Sequence, residues 1–348
     1  MANLNYENKK IIPDNDPTAE SRKKDHIELA FRSRITQLDT RFYYEPFLSA
    51  HLTIADIPSV NFLNKTFRAP MWVSSMTGGT EKARIINKNL ARACGEFGFG
   101  MGLGSCRQLL YSDEFLSDFD VRQFMGNEIP LFANLGVAQI EKLFEQKEIE
   151  RIDILLKKLN ADGLIVHVNP LQEWLQPEGD RFLHPPIETI KKLLNIAQFP
   201  VIVKEVGQGF GPKSIKVLLQ LPIAALDLAA AGGTNFAKLE LLRSSEEQQN
   251  LFNAVAQLGH TAEEMVNWIN FTHETLNLNI QCRQIIISGG ITDFLDGYYL
   301  TQKIKIPAVY GQASAFLKYA QGDYSVLQKF ISSQLEGLAL AYAFLKIR

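Results

Sequence analysis

The stretch Gly163-Leu-Ile-Val-His167-Val-Asn169-Pro170-Leu-Gln-Glu173 decides the fold, because an apolar run turns abruptly polar within it. Residues 163–166 are typical of a buried strand. Side chains two positions apart share one face of a strand, so His167 and Asn169 are predicted to point the same way. Pro170 is predicted to end the strand and to begin a turn that presents the following Gln-Glu pair at the strand's C-terminal rim. The pattern indicates the floor of an active site, and a solvated polar edge is the alternative.

Seven other segments repeat this pattern of a short apolar run closed by glycine or polar residues. Helical periodicity separates them, clearest over 81–97 and 187–196 and weaker over 213–219, 261–276 and 292–302. Apolar strands that alternate with helices indicate a parallel sheet covered on both faces. Eight such units in about 250 residues predict an α/β fold, a (β/α)8 TIM barrel with an N-terminal extension, rather than an open doubly wound sheet. The seven further strands are predicted at 70–75, 99–103, 130–133, 200–203, 224–228, 283–287 and 307–310.

Glycine-containing loops follow the last three predicted strands. Gly232-Gly233-Thr234 follows the sixth, Gly289 and Gly290 follow the seventh, and Gly311-Gln312-Ala313 follows the eighth. Glycine lets backbone N–H groups approach phosphate oxygens, and the loops after strands seven and eight of such barrels commonly bind phosphate. One Gly-Gly pair would be explained by an ordinary turn, but three such loops favour a phosphorylated cofactor.

Lys204 ends the fifth predicted strand and is expected in the barrel mouth, since lysine is rarely buried without a partner. It could form a Schiff base, pair with a phosphate or stabilise negative charge on a flavin ring. A salt bridge to Glu205 or to an acid on a neighbouring strand is the alternative. Cys106 has no base close to it in sequence, so a catalytic thiol is disfavoured. The three cysteines lack metal-ligand spacing, which favours a reduced chain.

The composition is that of an ordinary globular protein. The 348 residues are 46% hydrophobic and 21% charged, with a formal net charge of −2. This balance suggests no nucleic-acid or membrane-surface partner. No apolar run approaches the ~20 residues that span a bilayer, and the first 20 residues lack the apolar segment of a signal peptide. A cytoplasmic location is therefore expected.

The predicted organisation is a flexible leader over residues 1–20 and one barrel domain over residues 21–348. Within that domain, segment 21–64 precedes the barrel and is expected to take part in substrate binding. A helix is predicted over 21–32, with Arg22 and His26 one turn apart. Residues 243–260 are predicted to be an insertion after the sixth strand or an extension of the sixth helix, and 325–344 the last helix.

Six motifs occur in the order that is found in one enzyme family. The chain from about residue 21 to its C-terminus resembles the type 2, flavin-dependent isopentenyl diphosphate isomerases. Related flavin barrels lack the basic leader motif and the Asn-Pro-Leu-Gln-Glu segment, so the combination is specific. Ala229-Ala230 departs from the Ser-Gly that is usual in the family, and Asp25 stands where Glu is common. The motifs are Arg22-Lys23-Lys24-Asp25-His26, Met76-Thr77-Gly78-Gly79, Gly104-Ser105-Cys106-Arg107, the 167–173 segment, Lys204-Glu-Val-Gly207 and Gly232-Gly233-Thr234.

The resemblance implies interconversion of isopentenyl and dimethylallyl diphosphates. It also implies FMN at the barrel mouth, Mg2+ between protein and diphosphate, NAD(P)H as the reductant that primes the flavin, and a homotetramer or homo-octamer. One proton is added and another removed, so no net redox change occurs. The residues expected around FMN are Ser75, Met76, Thr77, Ser105, Asn134, Lys204, Thr234, Gly289, Gly290, Gln312 and Ala313.

The resemblance also assigns the substrate, metal and catalytic residues. Glu173 is expected to be the one protein carboxylate on Mg2+, a hard ion that prefers oxygen ligands. The Gln172 amide is expected to orient the departing proton, while His167 and Asn169 hold the substrate. The reduced flavin is the expected proton donor, since paired carboxylates of tuned pKa are not evident. The residues expected to bind the substrate are Arg22, Lys23, His26, Ser105, Arg107 and Gln172.

Two other functions are compatible with a flavin barrel. An FMN-dependent 2-hydroxy acid oxidoreductase would need an arginine and a histidine beside the flavin, and Arg107 and His167 could take those positions. The segment with Gln172 and Glu173 would then be unexplained. A non-catalytic flavin- or phosphate-binding barrel is suggested only by Ala229-Ala230.

Overall fold

Eight parallel strands close into a barrel in chain order. The computed structural model describes residues 18–75 except 34 and 36, residues 81–275 and residues 279–348. The predicted TIM barrel is confirmed, and each of the eight predicted strands is present. We number the barrel strands β1 Met71–Val73, β2 Gly100–Gly102, β3 Leu131–Gly136, β4 Gly163–His167, β5 Val201–Lys204, β6 Ala225–Asp227, β7 Ile285–Ser288 and β8 Ala308–Gln312.

The register of the barrel brings several polar strand ends side by side. His167 at the end of β4 pairs with Gly136 of β3 on one side and with Lys204 of β5 on the other. Lys204 pairs in turn with Asp227 of β6. Because all strands run the same way, their carboxyl ends form one rim, which is where TIM-barrel enzymes carry their active sites.

A hairpin closes the opposite, N-terminal end of the barrel. Strands Val60–Phe62 and Lys65–Phe67 pair antiparallel. The Leu63 N–H donates to Gln284 Oε1 just before β7, and Phe67 stacks on Trp72 with ring centroids 6.5 Å apart. Both aromatic residues are fully buried. Aromatic packing therefore fills this end and leaves the C-terminal rim for function.

Fifteen helices are described, and the predicted ones are confirmed with ends shifted by no more than three residues. The last helix packs through Phe344 against Tyr44, with ring centroids 6.4 Å apart. Short 3-10 helices lie at Ile54–Asp56, Arg107–Leu110 and Val255–Gln257. The helices are α1 Ala19–Leu29, α2 Glu81–Phe97, α3 Leu116–Phe119, α4 Arg122–Met125, α5 Val137–Gln146, α6 Arg151–Leu159, α7 Pro170–Leu175, α8 Pro186–Ile196, α9 Pro212–Leu218, α10 Phe236–Arg243, α11 Glu246–Phe252, α12 Ala262–Thr275, α13 Phe294–Lys303, α14 Ser314–Ala320 and α15 Tyr324–Phe344.

One local prediction, and one of two alternatives for another segment, need correction. Pro170 begins the short helix α7 rather than a turn, because proline at the first helical position supplies a suitable φ and lacks only an N–H that would be unpaired there. The 243–260 section is not one extended helix. Ser245 ends any continuation of α10 by capping a separate helix, α11, through its side chain, which accepts the Gln248 N–H.

The chain divides into two compact units, residues 1–42 and residues 43–348. The first unit contains α1, which confirms the predicted basic helix. The second contains the barrel. The predicted leader over residues 1–20 stays a prediction, because residues 1–17 lie outside the described residues. None of the helices in the described ranges is long and apolar enough to cross a membrane.

Candidate functional site

Hydrogen bonds fix the orientation and the tautomer of His167 at the end of β4. Asn134 Nδ2 donates to the Leu103 carbonyl oxygen at 3.1 Å, which leaves Asn134 Oδ1 as the acceptor for His167 Nδ1 at 2.8 Å. This network assigns the proton to Nδ1 and leaves Nε2 as an acceptor. Burial, together with the nearby Lys204 charge, lowers the pKa of His167 to about 4. Near pH 7 the imidazole is therefore neutral and offers an acceptor, not a cation.

Lys204, Asp227 and Ser288 form a buried polar row across β5, β6 and β7. Lys204 Nζ lies 3.6 Å from Asp227 Oδ2. Ser288 Oγ donates to Asp227 Oδ1 and accepts the Ala229 N–H at 3.0 Å. The alternative of a salt bridge to a neighbouring strand's acid is thus confirmed for Lys204, whereas its role beside a flavin stays a prediction. Asp227 is the acid that pairs with Lys204 among the described residues, and the lysine ammonium, which has three donors, can also contact an anionic group.

Glu205 organises the loop after β5 instead of pairing with Lys204. Its Oε2 accepts the N–H groups of Gly207, Gln208 and Gly209 at 2.7, 2.7 and 2.9 Å. Burial raises the pKa of this carboxyl above its ordinary value, although the backbone donors oppose the effect. The acid is therefore used to hold a loop.

The glycine loops after β6 and β7 lie back to back at the rim. A Cβ on Gly232 would lie 3.0 Å from the Gly290 Cα, and one on Gly289 would collide with the Ala230 backbone. Gly232, Gly289 and Gly290 have φ values of 106°, 84° and 72°, the left-handed region that favours glycine. Bare backbone therefore lines this part of the rim, as the phosphate-loop prediction requires.

Unpaired polar atoms mark the rim where β8 meets β1. The side-chain oxygens Ser74 Oγ, Ser75 Oγ and Gln312 Oε1 are buried and have no hydrogen-bond partner among the described residues. The main chain is paired here, since the Ser74 N–H donates to the Gln312 carbonyl oxygen at 3.0 Å. Buried polar groups are normally paired, so these oxygens indicate a place for a polar ligand.

Helix α7 gathers three of the predicted catalytic and metal-binding side chains. Asn169, its N-cap residue, donates through Nδ2 to Gln172 Oε1 at 3.1 Å and to Glu173 Oε1 at 2.9 Å. Gln172 Nε2 donates to Glu240 Oε1 at 3.1 Å. The second oxygen of Glu173 accepts the Asp180 N–H at 2.6 Å. The two neighbouring side chains thus share Asn169 and diverge in their other contacts.

Arg107, on the loop after β2, meets an acid that sequence reasoning missed. Its NH1 lies 3.5 Å from Asp180 Oδ2. The same carboxylate accepts a hydrogen bond from Gln139 Nε2 at 3.0 Å and pairs with Lys142. Two cations share the Asp180 carboxylate, and both are about half exposed, so each can also contact an anionic substrate.

The other predicted residues are not joined to these clusters by the described contacts. Ser105 and Thr234 are exposed, and Ala313 is the half-buried N-cap residue of α14. Arg22, Lys23 and His26 belong to α1 in the first unit, and their convergence with Arg107 stays a prediction. Met76 and Thr77 lie outside the described residues.

Cys106 is ruled out as a reactive thiol. Burial raises its pKa to about 12, although a hydrogen bond from the Asn134 backbone opposes the effect. A thiolate is the nucleophilic form, so this side chain is inert near neutral pH. Its role is to hold the loop that carries Arg107.

Asp180, Glu240 and Asp227 are the acids that sequence reasoning did not assign. Asp227 carried a signal, since an acid inside an apolar strand requires a buried partner. Asp180 and Glu240 carried none, because their contacts with Arg107 and Gln172 join residues that are far apart in the sequence. Among the described residues, no group of three or more His, Cys, Asp or Glu side chains could hold a metal ion.

No protein-family model matches the chain. Solved structures with the same barrel include a mandelate oxidase variant with a monooxide FMN adduct (TM-score 0.53, 12% identity, 88% of each chain). A flavocytochrome b2 variant with sulfite bound has a TM-score of 0.57 at 14% identity, over 86% of this chain and 71% of that chain. At such identities the likeness shows the fold alone.

Curated relatives are much more similar in sequence. The isopentenyl-diphosphate delta-isomerase of Rickettsia africae is 35% identical over 328 residues, which covers 92% of this chain and 91% of the relative. The protein of the same name from Rickettsia felis is 34% identical over 338 residues, covering 94% and 93%. Identity at this level over nearly the full length of both chains shows that this chain belongs to the isopentenyl-diphosphate delta-isomerase family.

Proposed function

We propose that this protein interconverts isopentenyl and dimethylallyl diphosphates, using reduced FMN and Mg2+. The observation that carries the proposal is the 35% identity to named isomerases over 92% of the chain. The rim supports it independently, since it combines glycine loops, polar oxygens with no partner among the described residues, and two half-exposed cations. The NAD(P)H requirement and the homotetramer or homo-octamer stay predictions.

The rim fits FMN in chemistry. The glycines of the two loops carry no side chain that would keep a phosphate from their backbone N–H groups, and the loops pack too closely to accept a side chain there. The unpaired Ser75 and Gln312 oxygens can pair with polar edges of a flavin ring. Lys204 can place positive charge near a reduced ring. When bound, reduced FMN supplies the proton-transfer chemistry, and the protein supplies orientation.

The chain's own residues divide the remaining work around α7. Gln172 is held at both ends of its amide, by Asn169 and by the nearly buried Glu240. This fixes the amide plane, so it can orient a carbon-bound proton for removal. His167 stays neutral through its low pKa and presents Nε2 as an acceptor. No net redox change is required, because the proton gained at one carbon is balanced by one lost at another.

Glu173 is the residue that we propose for Mg2+. Its carboxylate is buried, and each oxygen accepts one hydrogen bond, from Asn169 or from the Asp180 N–H. Each carboxylate oxygen can accept more than one partner, so capacity for a cation remains. Mg2+ usually takes one or two carboxylates, with substrate phosphates and waters completing its ligands. One carboxylate beside the Arg107 and Lys142 charges fits that pattern.

A 2-hydroxy acid oxidoreductase is the weaker candidate, although the solved structures that share this chain's fold include a mandelate oxidase with an FMN adduct. Such chemistry would need Arg107 and His167 to hold one substrate carboxylate together. In the structure Arg107 pairs with Asp180 and His167 pairs with Asn134. The Gln172–Glu240 contact would also have no use in that reaction.

An anaerobic assay tests the proposal. The purified protein with reduced FMN and Mg2+ should convert isopentenyl diphosphate to an equilibrium mixture with dimethylallyl diphosphate, measured by product chromatography. Gln172→Asn should lose at least 100-fold in kcat, about 3 kcal/mol in the barrier, while it retains FMN. Lactate or mandelate that bleaches oxidised flavin, with no isomer formed, would instead establish the oxidase.

A further inference from the structure

Asp180 joins two parts of the site that are far apart in sequence. Its side chain contacts Arg107 and Lys142, on the loop after β2 and on α5, and accepts a hydrogen bond from Gln139. Its main-chain N–H donates to Glu173 Oε2 at 2.6 Å. One residue therefore touches both the cations expected at the diphosphate and the carboxylate expected at Mg2+.

The loop that carries Asp180 is folded tightly against α7. Arg181 NH1 donates to the Glu173 carbonyl oxygen at 2.5 Å, and the Gly179 N–H donates to the Gln176 carbonyl oxygen at 3.0 Å. A Cβ on Gly179 would collide with the Glu173 carbonyl oxygen. The close approach needs glycine at that position, which shows that the position of Asp180 relative to Glu173 is tightly constrained.

The charges are arranged with the acid inside and the cations outside. The Asp180 side chain is 11% exposed, whereas those of Arg107 and Lys142 are 58% and 48% exposed. Burial alone would raise the pKa of Asp180, but the Lys142 hydrogen bond and both positive charges lower it below its ordinary value. The acid is thus ionised at neutral pH. The exposed parts of the two cations remain open to an incoming anion.

We propose that Asp180 is a positioning residue that sets Arg107 and Lys142 as one phosphate-binding pair and aligns Glu173 for Mg2+. This inference rests on the proposed function and adds Lys142 to the expected diphosphate contacts. Long cationic side chains lose rotamer freedom when they bind phosphate, and an acid that orders them beforehand removes part of that cost. Asp180 acts through these side chains and does not itself contact substrate.

The Asp180→Asn variant tests the inference, because it keeps the shape of the side chain and removes its charge. We expect the KM for isopentenyl diphosphate to rise about tenfold, with kcat within about threefold, since ordering two such side chains costs a comparable factor. Glu274→Gln is the matched control. It breaks the pair between Glu274 on α12 and Lys305 after α13, in which both side chains are about half exposed, and should leave KM and kcat unchanged.

A double-mutant cycle shows whether Asp180 acts through Arg107. In an Arg107→Gln background, Asp180→Asn should raise KM by less than about threefold. An unchanged tenfold effect there, or no effect in the parent, would overturn the inference. Should Asp180→Asn not yield folded protein, Lys142→Met carries the test, and an unchanged KM for that variant overturns the paired role.

Binding of inorganic pyrophosphate with Mg2+, followed by calorimetry, separates this inference from the proposed function. The parent should bind pyrophosphate about tenfold more tightly than Asp180→Asn, whether or not turnover occurs. A parent that binds pyrophosphate but forms no isomer contradicts the proposed function and leaves Asp180 supported. Equal affinities of parent and variant contradict the role of Asp180 alone.

Discussion

The Lys204–Asp227 and Arg107–Asp180 pairs have nearly equal N···O distances, 3.6 and 3.5 Å, in very different surroundings. In the first pair the side chains are 10% and 0% exposed, and in the second 58% and 11%. A buried pair is costly to break because it leaves a charge without water or partner. A half-exposed pair can exchange partners, because water and salt compensate its loss.

The difference separates two kinds of site chemistry in one barrel mouth. Strand ends hold Lys204 and Asp227, so their geometry is fixed by the sheet. Loops hold Arg107 and Asp180, so their geometry can adapt when a diphosphate arrives. The flavin is expected to remain bound through many turnovers, whereas the substrate must leave in each one. The buried pair lies on the proposed cofactor side, and the exposed pair on the proposed substrate side.

Breaking the buried pair should give the largest loss in the free energy of unfolding. Asp227→Ala leaves the Lys204 ammonium and the Ser288 hydroxyl without their partner, and should lower the free energy of unfolding by about 3–5 kcal/mol. Urea denaturation of the flavin-free protein measures this. A Lys204→Met/Asp227→Leu double variant should regain most of the loss, because it removes both charges together. A single variant within about 1 kcal/mol of the parent would show that the pair is not effectively buried.

Acid should lower the free energy of unfolding through protonation of His167, which pairs in register with Lys204 of the buried side. Its pKa is about 4 in the folded chain, below the ordinary 6.5, so the unfolded state binds more protons between these values. The free energy of unfolding therefore falls as pH drops from 6.5 to 4, by a contribution on the order of 3 kcal/mol. Urea titrations at pH 7 and 4.5 should show a smaller loss for His167→Gln than for the parent. Equal losses in the parent and in His167→Gln would show that a group other than His167 takes up the proton.

The position of the buried side could be predicted from the sequence, whereas the contacts of the exposed side could not. The barrel, its rim and the position of Lys204 follow from apolar runs that end in polar residues, because strand geometry places such residues together. The Gln172–Glu240 and Arg107–Asp180 contacts join residues more than 60 positions apart, and no local period encodes them. Helix α7 was missed because Pro170 is compatible with both a turn and a helix start.

A methyl group at Gly179 should disturb the exposed side with a moderate cost. The added carbon would collide with the Glu173 carbonyl oxygen, so Gly179→Ala must move the loop or the helix, at about 1–3 kcal/mol. We expect the Mg2+ concentration for half-maximal activity to rise severalfold. Gly322→Ala is the control, because no atom lies within 4 Å of the position of its added carbon. Identical Mg2+ titrations for the two variants would show that the Gly179 loop does not influence Mg2+ binding.

The smallest expected effect on stability belongs to Asp180. The Asp180→Asn variant should change the free energy of unfolding by less than about 1 kcal/mol, because Arg107 and Lys142 are each about half exposed and regain water when the charge is lost. The Gln139 amide can still donate to the new side chain's oxygen. Urea denaturation at low and at 0.5 M salt should give nearly the same difference between parent and variant. A loss as large as that of Asp227→Ala would mean that Asp180 holds the fold, and would remove the contrast between the two pairs.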